Sequence, residues 1–144
     1  MREGPSKAKT HKFAAIVDES LTMGRAMAVL GHLSVSIGAF APAELLGVPR
    51  IRDASGHDHF GIAGLPYIIL RGTRPAIKRV VEQSGGRDAF TVGCPTETLD
   101  LPDNESFVES LTRKQFSDIE YYAVALFGPR EVVEPVTRRF RLWT

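Results

Sequence analysis

Three short stretches hold side chains from which chemistry could be built. The first is Thr22-Met23-Gly24-Arg25, set between the apolar run Lys12–Asp18 and a second, longer apolar segment. The start of a helix presents N–H groups that its own turns leave unsatisfied, and a neighbouring cation makes it a seat for phosphate or carboxylate. Gly24 would let such a ligand reach the backbone. The same residues also read as plain architecture, with Gly24 easing a turn and Arg25 solvated.

The second stretch is Gly93-Cys94-Pro95-Thr96-Glu97-Thr98-Leu99-Asp100, which follows a strand-like run. Ligands of open α/β sheets gather outside the carboxyl ends of strands, so this position matters. Glu97, with Thr98 beside it, can serve as a base or as a hydrogen-bond acceptor opposite Arg25, or stand as an ordinary loop carboxylate. Cys94 is a nucleophile only where a neighbour lowers its pKa, and is otherwise a small buried hydrophobe. The third stretch, His57-Asp58-His59 near Asp53, turns two imidazoles to one face of an extended segment. No third ligand lies nearby in sequence, so neither a metal nor any other cofactor is expected. His32 reads as a satisfied or half-buried helix residue, and Ser34 and Ser36 lack the Gly-x-Ser-x-Gly setting of a serine hydrolase. No catalytic set is assigned.

These residues need elements to hold them. Met1–His11 is polar and aperiodic and reads as a disordered tail, which leaves 12–144 as one domain. Lys12–Asp18 reads as a buried strand and Met23–Ile37 as a helix capped by Thr22 and ended by Gly38 and Pro42. The stretch "PAELLG" offers a helical turn. Pro49–Ile62 suggests a hairpin that turns at Asp53, Ser55 and Gly56. "PYIILRG" is a strand, followed by a helix with Thr73 as cap, Pro75 in its first turn and a Gly85–Gly86 stop. "AFTVGC" is a further strand, Asn104–Lys114 a helix, and "IEYYAVALFG" the last strand. A final helix begins at Pro129 and includes Pro135, where a kink or a short, tightened first turn is expected. Strands alternating with helices predict an α/β, three-layer α-β-α sandwich around a mostly four-stranded mixed sheet.

Composition bounds the function. The chain has 144 residues, 43% hydrophobic and 24% charged, which is ordinary for one globular domain. Eighteen basic and seventeen acidic residues give a net charge of +1, so binding nucleic acid by bulk charge is not expected. The arginines at 71, 74, 79, 130, 138, 139 and 141, with Lys78, are the one hint of a basic surface, though Glu82, Glu131 and Glu134 interleave with them. Glu134 and Arg138 are expected to pair along their helix. The single cysteine excludes an internal disulfide. No secretory signal is evident, and no run reaches the roughly eighteen apolar residues of a membrane span. The expected setting is cytoplasmic.

Two segments carry a family resemblance. Asp18, Leu21, Met23, Gly24 and Arg25, at a strand-to-helix turn, resemble the opening of type II peptidyl-tRNA hydrolases, and Ala123–Trp143 resembles the last unit of that fold. The chain is more similar to the bacterial family called domain of unknown function two thousand. That likeness rests on "ELLG" at Glu44–Gly47, the "RDASG" turn, and "GPR" followed by a V-T-R-R-x-R-L ending. It covers nearly the whole chain after the tail. It implies the hydrolase-like sandwich and, by analogy, a homodimer, but no established activity. Where the hydrolases carry a second lysine this chain has Met27. Gly31 stands at their glutamine and Ser34 at their histidine, and Glu97 and Thr98 are the nearest equivalents of a later motif.

The resemblance therefore implies a relative that binds a small anionic ligand or a partner through Thr22, Met23, Gly24, Arg25, Glu97 and Thr98, with the hydrolase lysine replaced. The alternative is an active hydrolase of peptidyl-tRNA or a related ester, with weak, salt-sensitive tRNA binding. A third reading is a dimeric scaffold using "PYIIL" or "EYYAVAL" as an apolar sheet edge.

Overall fold

In a computed structural model, residues 7–41, 49–61, 63–86 and 88–144 are described. The first part of the expected tail and the "ELLG" turn lie outside these residues. Lys7–Thr10 form a helical turn, α1, and strand β1 begins at His11, so the last residues of the expected tail are ordered.

β1 (His11–Asp18) and β6 (Tyr121–Pro129) lie side by side and are buried along almost their whole length. Their near-continuous apolar sequence follows from burial on both faces. β4 (Tyr67–Gly72) pairs parallel with the other side of β1, and β5 (Phe90–Pro95) pairs antiparallel with β6. A two-residue strand, β7 (Arg141–Leu142), covers part of β4. The sheet is mixed, ordered β5-β6-β1-β4-β7, and has five strands rather than the expected four. The fifth was hidden because two residues carry no periodicity. "EYYAVAL" is an interior strand and no edge, while of "PYIIL" only Leu70 pairs with β7 on the side away from β1.

Alternation along β1 builds two cores. Phe13, Ala15 and Val17 face α2 (Met23–Phe40), which buries Val29, Leu33 and Ile37 against them. Ala14 and Ile16 face α3 (Arg74–Ser84) and α6 (Arg130–Thr137), meeting Ile77, Val80 and Val133. The three layers expected from the sequence are therefore present. Thr73 caps α3 by accepting a hydrogen bond from Ala76 N at 3.4 Å. Pro135 lies inside α6. Glu134 pairs with Lys12 at 2.9 Å and Arg130 at 3.7 Å, not with Arg138, because β1 brings the Lys12 ammonium alongside.

α2 runs past Gly38 to Phe40, beyond the expected stop. A lone glycine lowers helix propensity without forbidding a helix that a sheet supports. At this length α2 is apolar enough to cross a membrane by length and composition, contrary to the sequence reading, but its buried stripe packs on the sheet. β2 (Arg50–Arg52) and β3 (Asp58–Phe60) form the expected hairpin, with Gly56 at φ 89° in its turn. α4 (Glu97–Asp100) and α5 (Asn104–Thr112) follow β5.

Candidate site at the start of α2

β1 and β4 run parallel, and the helices that follow them depart to opposite faces of the sheet. A crevice opens where such connections diverge, and α2 starts there. Asp18 shapes the turn: its Oδ1 accepts hydrogen bonds from Ser20 N at 3.0 Å and Ser20 Oγ at 2.9 Å. Its buried Oδ2 lies 3.3 Å from Arg74 Nε, an ion pair without hydrogen-bond geometry. Thr22 stands at the N-cap of α2, but its side chain makes no capping bond. A Cβ added at Gly24 would meet nothing within 4 Å, so the first turn of α2 is open to approach.

Arg25 does not meet Glu97. Its Nη2 donates to Asp100 Oδ1 at 2.7 Å and to the Tyr122 hydroxyl at 3.1 Å, and that hydroxyl donates to Asp100 at 2.9 Å. The guanidinium carbon lies 5.4 Å from the Tyr122 ring centre. The Asp100 and Tyr122 hydrogen bonds hold the guanidinium pKa above its ordinary value. Burial, then the Asp100 bond, raise that of the Tyr122 phenol.

Tyr122 is in reach because β6 is irregular. Cys94 pairs with Ala123 but Pro95 pairs with Tyr121, so Tyr122 is an inserted residue. Such a bulge turns a side chain to the other face of a sheet. Tyr121 accordingly packs toward α3, while both Tyr122 and Ala123 pack toward α2. Sequence reasoning missed Tyr122, and it placed Asp100 near a sheet end without pairing it with Arg25. Strict alternation sends Tyr122 the wrong way, and Asp100 becomes a partner only when α4 winds for one turn.

Glu97 is 5% exposed and ion-pairs with Lys114, a residue the sequence reading also missed. Ser110 Oγ at 3.5 Å and Thr96 Oγ1 at 3.4 Å donate to the same carboxylate. Burial pushes its pKa up, but the Lys114 ammonium together with hydrogen bonds from the Glu97 N–H and Thr96 more than offsets this, and the carboxyl stays below its ordinary range. Cys94 is buried and its thiol pushed up by burial, the opposite of an activated nucleophile.

Glu97 and Thr98 instead line a groove of about 850 Å³ beside α2. Ala28, Gly31 and Val35 form one wall, Leu101 and Phe107 the other, with Cys94 at the base. Arg25 and Asp100 do not line it: Arg25 lies about one helical turn before Ala28 on α2, and its partner Asp100 immediately precedes Leu101. Of the predicted ligand residues, Thr22, Met23, Gly24 and Arg25 thus cluster at the helix start, and Glu97 and Thr98 sit in the groove. His32 is exposed on the groove side of α2 and not half-buried, since the sheet takes the opposite helix stripe. Met27 is 64% exposed. Ser34 donates to Leu30 O at 2.7 Å.

The hairpin histidines are engaged otherwise. His59 Nε2 lies 2.9 Å from Asp53 Oδ2, and Asp58 binds Arg52 at 2.9 Å. Hydrogen bonds from Ser55, then His59, hold the Asp53 carboxyl far below the ordinary range. Among the described residues no group of three or more His, Cys, Asp or Glu side chains converges.

The model of a family described as a protein of unknown function (DUF2000) matches residues 11–144. A search of curated proteins finds no match. Among solved structures, the chain is similar to the protein of unknown function Atu0240 from Agrobacterium tumefaciens strain C58. The two share 19% identity with a TM-score of 0.82, over 94% of this chain and 98% of that one. That likeness shows the fold alone.

Proposed function

We propose that this chain, which belongs to the DUF2000 family, is a binding domain that receives a small anionic ligand at the start of α2. The observation that carries the reading is the Arg25–Asp100 pair. The guanidinium already holds a carboxylate at 2.7 Å, and the two side chains are 44% and 47% exposed. A solvent-screened pair of this kind contributes little and exchanges readily, so an incoming oxyanion can displace Asp100. The N–H groups of the first turn lack a side-chain cap and add to the attraction.

The alternative, hydrolysis of peptidyl-tRNA or a related ester, draws on the resemblance of Asp18–Arg25 to the hydrolase opening. Ester hydrolysis needs a group to orient water and one to stabilise an oxyanion. Met27 offers a thioether, and Glu97 is buried against Lys114. Basic side chains that this alternative would turn to RNA also have partners of their own. Lys78 donates to the carbonyls of Phe116, Ser117 and Ile119 at 2.7 Å, and Arg74 pairs with Asp18 and Glu120. A homodimer belongs to the proposal, supported by the outward Met23 and Met27 of α2, 62% and 64% exposed.

Titration with phosphate and acetate, followed by NMR of backbone amides, tests the binding reading. Shifts centred on residues 22–25, lost in Arg25→Ala, are expected. Unshifted amides at millimolar anion would end it. Single-turnover cleavage of peptidyl-tRNA by the wild type, abolished in Arg25→Ala, would favour the alternative.

A further inference from the structure

We infer that the ligand is an amphipathic carboxylic acid, its head on Arg25 and its apolar body lying along the groove between α2 and α4–α5. The inference rests on the anion site proposed above and adds the chemical class of what binds there.

Charge is distributed along the groove in the way such a molecule requires. One helical turn before the lining residue Ala28 stands Arg25, whose present partner, the Asp100 carboxylate, has the chemistry of the proposed head. Beyond it Ala28, Gly31 and Val35 from α2 face Leu101 and Phe107 as an apolar strip, with His32, Ser36, Thr98 and Asn104 as polar lining beside it. The two carboxylates on the lining are already occupied. Glu97 is bound by Lys114, and Asp103 caps α5 by accepting from Ser106 N at 2.7 Å. An apolar body therefore meets lining carboxylates that already have partners, and the displaced Asp100 keeps the Tyr122 hydroxyl as a donor.

Shape agrees with charge. From Arg25 to Val35 the helix advances on the order of 15 Å, enough for a medium-length chain or a ring system. Gly31 lines the groove, and a Cβ built there meets nothing within 4 Å. The glycine is thus not required by packing within the chain. Its missing side chain leaves the wall low where the body would pass, despite the cost of a glycine inside a helix. Val35 is 74% exposed, although valine is among the residues most often buried. An apolar body on the groove would cover it.

The test compares acetate, phosphate and octanoate by NMR titration on the wild type, Gly31→Leu, Val35→Glu and Arg25→Ala. Thermal unfolding of each variant confirms that it folds; positions 31 and 35 are exposed, so this is expected. Octanoate should bind at least about tenfold tighter than acetate, since each buried methylene strengthens binding by about three- to fourfold. Gly31→Leu, which fills the groove, and Val35→Glu, which charges it, should remove that preference and leave acetate binding unchanged. Arg25→Ala should weaken all three anions. Octanoate no tighter than acetate would overturn the amphipathic class and leave the anion site standing. A preference that survives Gly31→Leu, or octanoate binding indifferent to Arg25→Ala, would also overturn it. If none of the three anions binds, the anion site falls, and the inference with it.

Discussion

The Glu97 carboxylate and the Lys114 ammonium form the most buried ion pair around the groove. Lys114 stands 36% exposed, so water screens part of the interaction, while Glu97 at 6% side-chain exposure has no such relief. Removing the cation strands a buried carboxylate, which costs more than the pair itself is worth. Lys114→Met should destabilise the fold by about 1–2 kcal/mol, read by urea unfolding. Lys114→Met with Glu97→Gln should recover much of that loss. The carboxyl sits below its ordinary range in the folded state. Its contribution is therefore fully present above the unfolded glutamate value of about 4.3 and is lost as the pH falls through the lowered folded value. Glu97→Gln should flatten the acid limb of the stability profile below that value. An unchanged limb would mean that other carboxylates govern acid unfolding.

At the scale of elements, glycines separate two roles. Gly31 on α2 faces open space, and Gly93 on β5 faces the Tyr121 ring, which a Cβ would approach to 2.6 Å. Gly31→Ala should raise stability by roughly 0.5–1 kcal/mol, because the helix gains propensity and loses nothing. Gly93→Ala should lower it by about 1–3 kcal/mol, since the ring belongs to the buried core and must shift. Thermal unfolding of the two variants in opposite directions is the expected result. Equal effects would mean that the Gly31 side of α2 is not open in solution. The sequence reading placed both glycines in the right elements. It could not separate them, because the side a residue faces on β5 follows from the pairing with β6 and its bulge at Tyr122.

For the whole molecule, α2 is the open question of packing. One stripe, Ala26, Val29, Leu33 and Ile37, lies on the sheet, while Met23 and Met27 point outward. Sedimentation velocity at rising concentration should show the proposed dimer, and Met27→Lys should return it to a monomer, since an interface centre does not accept an unpaired charge. A monomer at all concentrations would remove the homodimer from the proposal and leave the groove untouched.

The sequence by itself determined the alternation of strands and helices, the Thr73 cap, the hairpin turn and the strand-to-helix junction at Thr22–Arg25. Each of these is written in local signals: apolar period, cap residues, turn residues. Only the tertiary structure decided that Arg25 holds Asp100 and Tyr122, that Glu97 belongs to Lys114, and that β7 adds a fifth strand. Those partners lie far apart along the chain, and their meeting depends on sheet register, one inserted residue in β6 and a single turn of α4. A periodicity argument sees one element at a time, whereas a site is made where several elements end together.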